Sequence, residues 1–456
     1  MSSQTQALLT APPLRLLLRM TGPNTVAFVI QALVMLTEIW IIGQLGTQAL
    51  AAMALVFPLL ILNQAMSAGA VGGAISSAIA RRLGQDDYEG AARLSWQGLY
   101  LSFLAATVLL VLFLLFGNVF FRFIGGSGDI LKIAMAYCTL LFSGGYLIWL
   151  GAATSSLFRG AGNMSLPARL MVIGSFVQVP LTGGLVLGWF GLPQFGVPGA
   201  ALSTLIVHGL TGVIMFFMLL RSDSAIALKL SLSAWRSDLM SDILQVARPA
   251  SLNPLMNIAT ILGLTALVSR FGETALAGYG IGTRIEFLML PVIFAFGTAL
   301  TTIVGTNIGA GRYKRAEAAG WYGVLCAGSL SGGAGLLLAL FPHYWIPIFT
   351  DDAQVQAIAT HYIRIVGPAY AGLGIGLVLY FASQGAGAMA WPVFGMILRF
   401  VIAVGVAAAC VTYFNMGIEA IFYAGAAAML IYAAIIALAI YRGAWRPKDK
   451  REKPNE

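Results

Sequence analysis

The chain of 456 residues carries few charges for its length, because its 26 Lys and Arg and 17 Asp and Glu make up 9% of the residues, where a soluble domain has about 25%. Its hydrophobic fraction is 59% and its mean hydropathy is +0.87. So few charges cannot cover the surface of a water-soluble protein of this size, so lipid must surround most of the chain. This composition excludes a cytosolic enzyme and a nucleic-acid-binding module. The apolar residues suffice for roughly twelve or thirteen membrane spans of about 20 residues each.

Apolar runs separated by charged or Gly- and Pro-containing loops predict an all-α polytopic membrane protein with twelve transmembrane helices. In chain order, the predicted spans cover residues 22–44, 49–80, 92–116, 130–158, 166–189, 196–220, 243–269, 276–306, 316–340, 353–383, 391–413 and 418–441. Most Lys and Arg residues fall in the two tails and in the loops after even-numbered spans, whereas only Arg122, Lys132 and Arg270 fall in loops of the opposite side. The positive-inside rule therefore places both termini in the cytoplasm and the chain in the cytoplasmic (inner) membrane.

An internal repeat relates the two halves of the sequence, which align with each other at an offset of 225 or 226 residues. The aligned pairs are Pro23 with Pro249, LGTQALAA (45–52) with FGETALAG (271–278), RRLGQDDYEGAA (81–92) with TNIGAGRYKRAE (306–317), and RGAGNMSLP (159–167) with QGAGAMAWP (384–392). Each half holds six predicted spans, an even number, so both halves insert in the same direction. Such parallel repeats are typical of transporters, in which two similar bundles enclose a cavity and expose it alternately to each side.

The repeat also predicts the domain organisation. It consists of an N-terminal six-helix bundle at 1–220, a cytoplasmic linker at 221–242, a C-terminal six-helix bundle at 243–441 and a basic cytoplasmic tail at 442–456. Gene duplication in a channel or in a membrane-embedded structural protein would leave the same pattern, and that alternative stays open. The chain contains no P-loop, HExxH or GxSxG motif, so the sequence favours a transporter over an enzyme.

The repeated segments resemble the multidrug and toxic compound extrusion (MATE) family over about residues 20–442. Besides Pro23 and the two GAG-containing loops, the stretches that carry the resemblance are PLTGGLVLGWFGLPQFGVPGAALST (180–204), GTNIGAGRYKRA (305–316) and IFTDDAQVQAIATHYIR (348–364). The resemblance implies a V-shaped pair of six-helix bundles. It also implies a secondary antiporter that expels organic compounds in exchange for H⁺ or Na⁺.

Glu38, in the first span, is the main candidate for the coupling carboxylate. Only two of the 17 carboxylates, those of Glu38 and Glu286, lie well inside predicted spans, where an ionised side chain is costly and is usually functional. The resemblance places Glu38 where family members carry an acidic residue that titrates or coordinates the ion. Gln31, seven residues earlier, lies on the same helix face and extends a short polar stripe. The structural alternative is a neutral, hydrogen-bonded Glu38 that only ties the first span to its neighbours.

Gln178 and Thr182 lie four residues apart, and therefore on one face of the fifth predicted span. The resemblance places them where the family often has Asn and then Asn or Asp, and Thr204 where the sixth span often supplies a hydroxyl. Gln and Thr leave the N-terminal pocket with a single carboxylate and therefore with fewer strong oxygen ligands for Na⁺. We expect H⁺ rather than Na⁺ as the coupling ion. Ordinary interhelical hydrogen bonding is the alternative role of Gln178 and Thr182.

The C-terminal half supplies secondary candidates. Asn257 stands where the resemblance places a carboxylate in the seventh span of some members, which argues against a Na⁺ site of that kind. Arg284 and Glu286 are two residues apart on one helix, so their side chains point in nearly opposite directions and each needs another partner. Arg399 is the candidate partner of Glu286, either in a static ion pair or in a latch that breaks on protonation.

The predicted function is export of amphipathic drugs or toxic metabolites in exchange for H⁺ by alternating access, in which protonation of Glu38 releases the substrate outward. The expected partners are small organic substrates and the lipid bilayer. No cofactor, metal or nucleic acid is expected, and the chain is expected to act as a monomer. The alternatives are a Na⁺-coupled exporter of the same family and a lipid or oligosaccharide flippase of the same superfamily, followed by a channel or an intramembrane enzyme.

Overall fold

The computed structural model describes residues 3–221 and 226–447, which are mostly α-helical and contain no strand. The helices before the linker are α1 Ser3–Thr10, α2 Pro13–Gly43, α3 Thr47–Gln64, α4 Gly72–Gly84, α5 Tyr88–Phe123, α6 Gly128–Ser143, α7 Gly145–Gly160, α8 Ser165–Leu187 and α9 Val197–Leu220. Those after it are α10 Ser237–Val268, α11 Glu273–Gly309, α12 Tyr313–Leu340, α13 Pro342–Trp345, α14 Ala353–Val366, α15 Tyr370–Ala386, α16 Ala390–Phe400, α17 Ala407–Thr412 and α18 Glu419–Tyr441. Residues 222–225 of the predicted linker and 448–456 of the predicted tail lie outside the described residues.

Shorter helical turns join several of these helices. Short 3₁₀ turns lie at Trp189–Gly191, Leu230–Leu232, Ser269–Phe271, Ile346–Ile348 and Gly367–Ala369, and π-helical turns lie at Ala65–Val71 and Val401–Val406. The π-helical turns continue one helix into the next, from α3 to α4 and from α16 to α17, so each of these pairs forms one span.

Eleven helical segments of the described chain are long and apolar enough to cross a membrane. Together, α6 and α7 also have the length and hydropathy of a membrane span, and these two helices are bent by 51° relative to each other. The fold is therefore that of an all-α polytopic membrane protein, and the predicted class is confirmed. The predicted span at 130–158 corresponds to this bent pair, and the break between its two helices falls at Gly144. A Cβ atom there would lie 2.5 Å from Leu205 Cδ1, and Gly144 is followed directly by Gly145, a sequence at which helices commonly kink.

The internal repeat is visible in the backbone of the turns. Three pairs of residues with positive φ fall at positions that the sequence repeat aligns: Gly46 (104°) with Gly272 (97°), Asp86 (58°) with Gly311 (72°), and Gly162 (88°) with Gly387 (72°). Such a backbone favours glycine, which has no Cβ atom to clash. Corresponding loops of the two halves therefore turn the chain in the same way.

The chain forms two compact units. One comprises the described residues of Met1–Gln6 and Gly22–Ala247, and the other those of Ala7–Thr21 and Arg248–Glu456. The chain passes from one unit to the other three times: between residues 6 and 7 in α1, and inside α2 and α10, where the new unit begins one residue before the aligned prolines Pro23 and Pro249. The unit boundaries at 21/22 and 247/248 do not coincide with the predicted bounds of the linker, 221–242. The residues before Pro23 belong to the second unit, and the residues before Pro249 belong to the first.

The described residues 226–247 pack in the first unit. Three side chains of α5 donate hydrogen bonds to carbonyl groups in this stretch: Trp96 Nε1 to Lys229 (3.1 Å), Gln97 Nε2 to Ala234 (2.9 Å) and Tyr100 Oη to Ser233 (2.6 Å). The Arg82 guanidinium pairs with the carboxylate of Asp242. Side chains of α4 and α5 thus hold residues 229–242 of the linker to the N-terminal half.

Residues 7–21 pack in the second unit in a similar way. Asn307 Nδ2 donates to the carbonyl of Leu8 (3.2 Å), Arg312 Nη1 donates to that of Leu9 (2.8 Å), and Arg315 donates to that of Ala11. At an offset of 226, residues 7–21 align with 233–247. We call residues 7–21 and 226–247 the leading segments. Each lies before the proline of its own half and packs in the unit that contains the other half.

Candidate ion-coupling site

Four polar side chains that the sequence singles out converge in the first unit. Gln178 Nε2 donates to Glu38 Oε1 at 2.8 Å, and Thr182 Oγ1 donates to the same oxygen at 3.1 Å. Gln178 Nε2 also donates to Thr204 Oγ1 at 3.3 Å. Glu38, Gln178, Thr182 and Thr204 therefore form one hydrogen-bonded group, the Glu38 cluster, which joins α2, α8 and α9.

The two oxygens of the Glu38 carboxylate differ in their surroundings. Both hydrogen bonds reach Oε1 and come from neutral donors. In the part of the chain that the structure describes, no side chain donates to Oε2, and no Lys, Arg or His nitrogen lies within 4.0 Å of the carboxylate. Glu38 is only partly buried. Its Oε2 atom is thus the atom that can accept a proton or contact an ion.

The packing of α8 and α9 explains why the cluster forms. A Cβ atom on Gly199 would lie 2.3 Å from the carbonyl oxygen of Leu185, so the glycine lets the two backbones approach closely. Pro180 lies between Gln178 and Thr182 and removes one backbone hydrogen bond of α8. On the other side, Ile41 and Ile42 of α2 are fully buried in an apolar core of this unit. Glu38 is held beside α8 by that core.

The sequence does not single out two further contributors to this site. Ser203 Oγ is fully buried and lies 2.6 Å from Thr182 Oγ1, so it donates to Thr182 when Thr182 donates to Glu38. Ser203 Oγ also lies 3.4 Å from the carbonyl oxygen of Gln178. His208 Nδ1 lies 3.0 Å from the carbonyl oxygen of Thr204. Ser203 and His208 lie one and four residues from Thr204 in the sequence, and this spacing is the signal that could have identified them.

Gln31 does not join the cluster. It lies in α2 two turns before Glu38, is partly buried, and makes no hydrogen bond within the described residues. The residues 3–221 and 226–447 also contain no group of three His, Cys, Asp or Glu side chains close enough to hold a metal ion.

The secondary candidates of the C-terminal half lie in the second unit. Tyr362 Oη donates to Glu286 Oε2 at 3.5 Å, and Arg399 Nη1 donates to Asn257 Oδ1 at 3.2 Å. Arg284 is exposed. The direct ion pair expected between Glu286 and Arg399 does not form, because no nitrogen–oxygen distance between them is 4.0 Å or less and each has a neutral partner instead.

Comparison with known proteins defines the family. The MatE family model matches residues 23–182 and 249–409, one segment in each half. The chain therefore belongs to the MatE family of multidrug efflux transporters. It is an integral membrane transporter of small organic substrates rather than an enzyme.

Relatives and solved structures agree with this assignment. A FAD transporter from Shewanella oneidensis is 27% identical over 380 residues, which cover 82% of each chain. A probable multidrug resistance protein, NorM of Thermotoga maritima, is 25% identical over 81% of this chain and 80% of its own.

Several solved structures match almost the whole chain, and two of them illustrate the match. One is a MOP superfamily transporter from Pyrococcus furiosus, described as having a binding pocket of reverse polarity that suggests a different function. It is 26% identical to this chain and has a TM-score of 0.88. The match covers 96% of this chain and 97% of that one. The other is an outward-facing multidrug resistance transporter of the MATE family, also 26% identical, with a TM-score of 0.86 and the same coverage.

Proposed function

We propose that this protein exports amphipathic organic compounds across the inner membrane in exchange for H⁺, and that Glu38 carries the proton. The observation that supports this proposal is the asymmetric Glu38 carboxylate, with two neutral donors on Oε1 and none from described side chains on Oε2. A proton that binds Oε2 removes the charge and weakens both hydrogen bonds to Oε1, because charge-assisted hydrogen bonds are roughly twice as strong as neutral ones. The contact of α2 with α8 and α9 then loosens, and the N-terminal half can rearrange.

The same geometry favours H⁺ over Na⁺ as the coupling ion. Sodium requires several oxygen ligands, and the Glu38 cluster contains one carboxylate. The Thr182 hydroxyl is fully buried and already engaged by Glu38 and Ser203. Gln178 presents its amide nitrogen rather than its oxygen to Glu38. A proton needs only the single oxygen that the cluster leaves available.

Orientation and assembly are part of the proposal. The positive-inside distribution of Lys and Arg supports cytoplasmic termini, and the protein is proposed to act as a monomer.

The identity of the exported compound is a separate question. One relative is named a FAD transporter and several others probable multidrug resistance proteins, so FAD export is the second candidate function and belongs in the same assays as cationic dyes.

Reconstitution into liposomes tests the coupling. Fluorescent-drug export is measured under an imposed pH gradient or an imposed Na⁺ gradient for the wild type, Glu38→Gln and Thr37→Val. Thr37 neighbours Glu38 on α2, and its hydroxyl bonds to its own helix at the carbonyl of Leu33 (2.9 Å), so it is a matched control. We expect export driven by the pH gradient in the wild type and Thr37→Val, and its loss in Glu38→Gln.

Other results would reject parts of the proposal. Export by Glu38→Gln at the wild-type rate would remove this carboxylate from the mechanism. Export driven by Na⁺ alone, with no response to the pH gradient, would assign Na⁺ as the coupling ion. Ion conductance without exchange would indicate a channel.

A further inference from the structure

A short stretch with the sequence FPHYWIPIF, residues 341–349, joins α12 to α14 in the second unit. We call it the aromatic segment. It contains α13 and the 3₁₀ turn Ile346–Ile348. Only Pro342 and Ile346 of this segment are buried, and its other seven side chains are exposed. The aromatic segment therefore packs against the protein through two side chains and presents a mostly apolar face outward.

Large apolar side chains make up most of the outward face. Their exposed fractions lie between 44% and 71%, and they are Phe341, Tyr344, Trp345, Ile348 and Phe349. Rings on this face adjoin one another, since the centres of the Phe341 and Tyr344 rings are 6.3 Å apart and those of the His343 and Tyr344 rings 4.3 Å apart. Adjoining exposed apolar groups of this size mark a surface that binds a membrane or another protein.

The depth of the aromatic segment in the membrane follows from the helix before it. Residues 318–350 contain no Asp, Glu, Lys or Arg. The helical part of this run, 318–340, is about 35 Å long at 1.5 Å per residue. Because the hydrocarbon core of a bilayer is about 30 Å thick, α12 crosses it completely before the aromatic segment begins. The segment therefore starts at the boundary between hydrocarbon and lipid headgroups.

The outward face continues the lipid-facing surface of α12. Near the end of that span, Leu336, Leu337 and Leu340 are 49%, 58% and 66% exposed, and exposed leucines of a membrane span are surrounded by lipid. Phe341 is still tied to the last turn of α12, because its N–H donates to the carbonyl of Leu337 at 3.0 Å. Lipid that covers these leucines therefore also reaches the aromatic segment, whereas a second copy of the chain would have to displace it.

The residue types of the segment and of the chain after it suit this boundary. Tyr and Trp combine an apolar ring with a polar tip and are enriched where hydrocarbon meets headgroups. The chain then becomes polar at once, since Asp351 is exposed. The Asp352 carboxylate accepts hydrogen bonds from the N–H groups of Gln354 (2.8 Å) and Val355 (3.2 Å), where α14 begins. An apolar span thus bounds the aromatic segment on one side, and carboxylates bound it on the other.

We propose that the aromatic segment lies in the headgroup region of the leaflet at the end of α12 and anchors the second unit to that membrane surface. Pro342 and Ile346 hold the segment to the protein, and the exposed rings insert among the lipids. At an offset of 225 the segment aligns with 116–124, where α5 runs on to Phe123 as one helix and carries Arg122. The anchor is therefore a feature of the second half.

Fluorescence quenching tests the location of the segment. A fluorescent amino acid replaces Tyr344, Ile348 or Asp351 in the full-length protein in nanodiscs, whose lipids carry a nitroxide either on the headgroup or near the end of an acyl chain. Asp351 is the control, because it is exposed and lies two residues beyond the segment. We expect the headgroup nitroxide to quench the labels at 344 and 348 about threefold more strongly than the label at 351, because Tyr and Trp settle at headgroup level. The acyl-chain nitroxide should quench the labels at 344 and 348 less than the headgroup nitroxide does.

Iodide, which quenches from water, is expected to give the opposite order and to quench the label at 351 most. Equal iodide quenching at all three positions would place the segment in water and overturn the inference. Stronger quenching at 344 and 348 by the acyl-chain nitroxide than by the headgroup nitroxide would place it in hydrocarbon and also overturn it. Protection of both labels from iodide and from both nitroxides would show that protein covers the face, and a dimer mass in mass photometry would identify a second copy as the cover.

The two labelled positions guard against a misfolded variant. Thermal unfolding of each labelled protein identifies any that fails to fold, and the label at 348 then decides the result without the label at 344. The measurement needs no gradient, coupling ion or substrate. Failure of the proposed transport function would therefore leave the quenching pattern unchanged.

Discussion

Thr182 has two hydrogen-bond partners in the Glu38 cluster, and both are lost if its hydroxyl is replaced by a methyl group. It donates to Glu38 Oε1 and lies 2.6 Å from the buried hydroxyl of Ser203. We expect Thr182→Val to lower the initial rate of export driven by a pH gradient about tenfold, because a buried polar group without its partner costs about 1–3 kcal/mol.

Thr182→Ser is the matched variant, since it keeps the hydroxyl and removes only a methyl group. Its initial rate in the same liposomes should remain close to that of the wild type. If Thr182→Val exports as fast as the wild type, the hydrogen bond from Gln178 alone is sufficient to hold Glu38.

Among single residues, the sequence identifies the large polar members of the site more readily than the small ones. Glu38 and Gln178 are conspicuous in apolar spans, because burying such groups is costly unless they are used. Ser203 is not, because a serine in a helix can satisfy its hydroxyl on its own backbone, as Ser95 does with the carbonyl of Ala91 (3.0 Å). The sequence likewise does not reveal that Glu286 and Arg399 have separate neutral partners, Tyr362 and Asn257, since this depends on which distant helices pack against α11 and α16.

Among the elements, the turn before α11 requires a glycine for conformational reasons alone. Gly272 has φ 97° and ψ 175°, and a Cβ atom on it would meet no other atom within 4 Å. We expect Gly272→Ala to destabilise the protein by about 1–3 kcal/mol, the usual cost of a backbone conformation that only glycine adopts readily. Thermal unfolding in detergent measures the difference.

Gly280 provides the comparison in the same unit. It lies inside α11, where an added Cβ would also meet nothing within 4 Å. Because alanine is the better helix former, Gly280→Ala should be neutral or stabilising by about 0.5–1 kcal/mol. Equal destabilisation by both substitutions would show that crowding, rather than backbone conformation, determines the effect.

The predicted spans agree with the helices because apolar length alone specifies a membrane helix. Departures from regular helix are not predicted in this way. At an offset of 225, the π-helical turn Val401–Val406 aligns with 176–181, which contain Gln178 and Pro180. At this aligned place, α8 stays α-helical and contains a proline that is visible in the sequence, whereas the second half has a π-helical turn that only the structure reveals.

At the scale of the whole molecule, the leading segment 226–247 depends on a few side chains of α5. We expect Tyr100→Phe to increase hydrogen exchange of residues 229–236 about fivefold, because it removes one hydrogen bond worth about 1 kcal/mol, the one that reaches the carbonyl of Ser233 at 2.6 Å. Hydrogen exchange with mass spectrometry resolves this segment.

Tyr423→Phe serves as the control, since the Tyr423 side chain is 60% exposed and lies in the other unit. Its exchange pattern at 229–236 should equal that of the wild type. Unchanged exchange in Tyr100→Phe would mean that Gln97 and Trp96 hold the segment without the tyrosine.

The crosswise packing of the leading segments limits how this transporter can be dissected into recombinant fragments. A polypeptide from 22 to 247 carries nearly all of the first unit in one piece. The second unit has no such contiguous gene fragment, since its residues 7–21 and 248–447 are separated by residues 22–247 of the first unit. Producing the second unit alone requires either two co-expressed fragments or a permuted gene in which the codons for 7–21 are joined to those for 248–447. A cut within the linker would leave both the N-terminal and the C-terminal fragment without part of its unit.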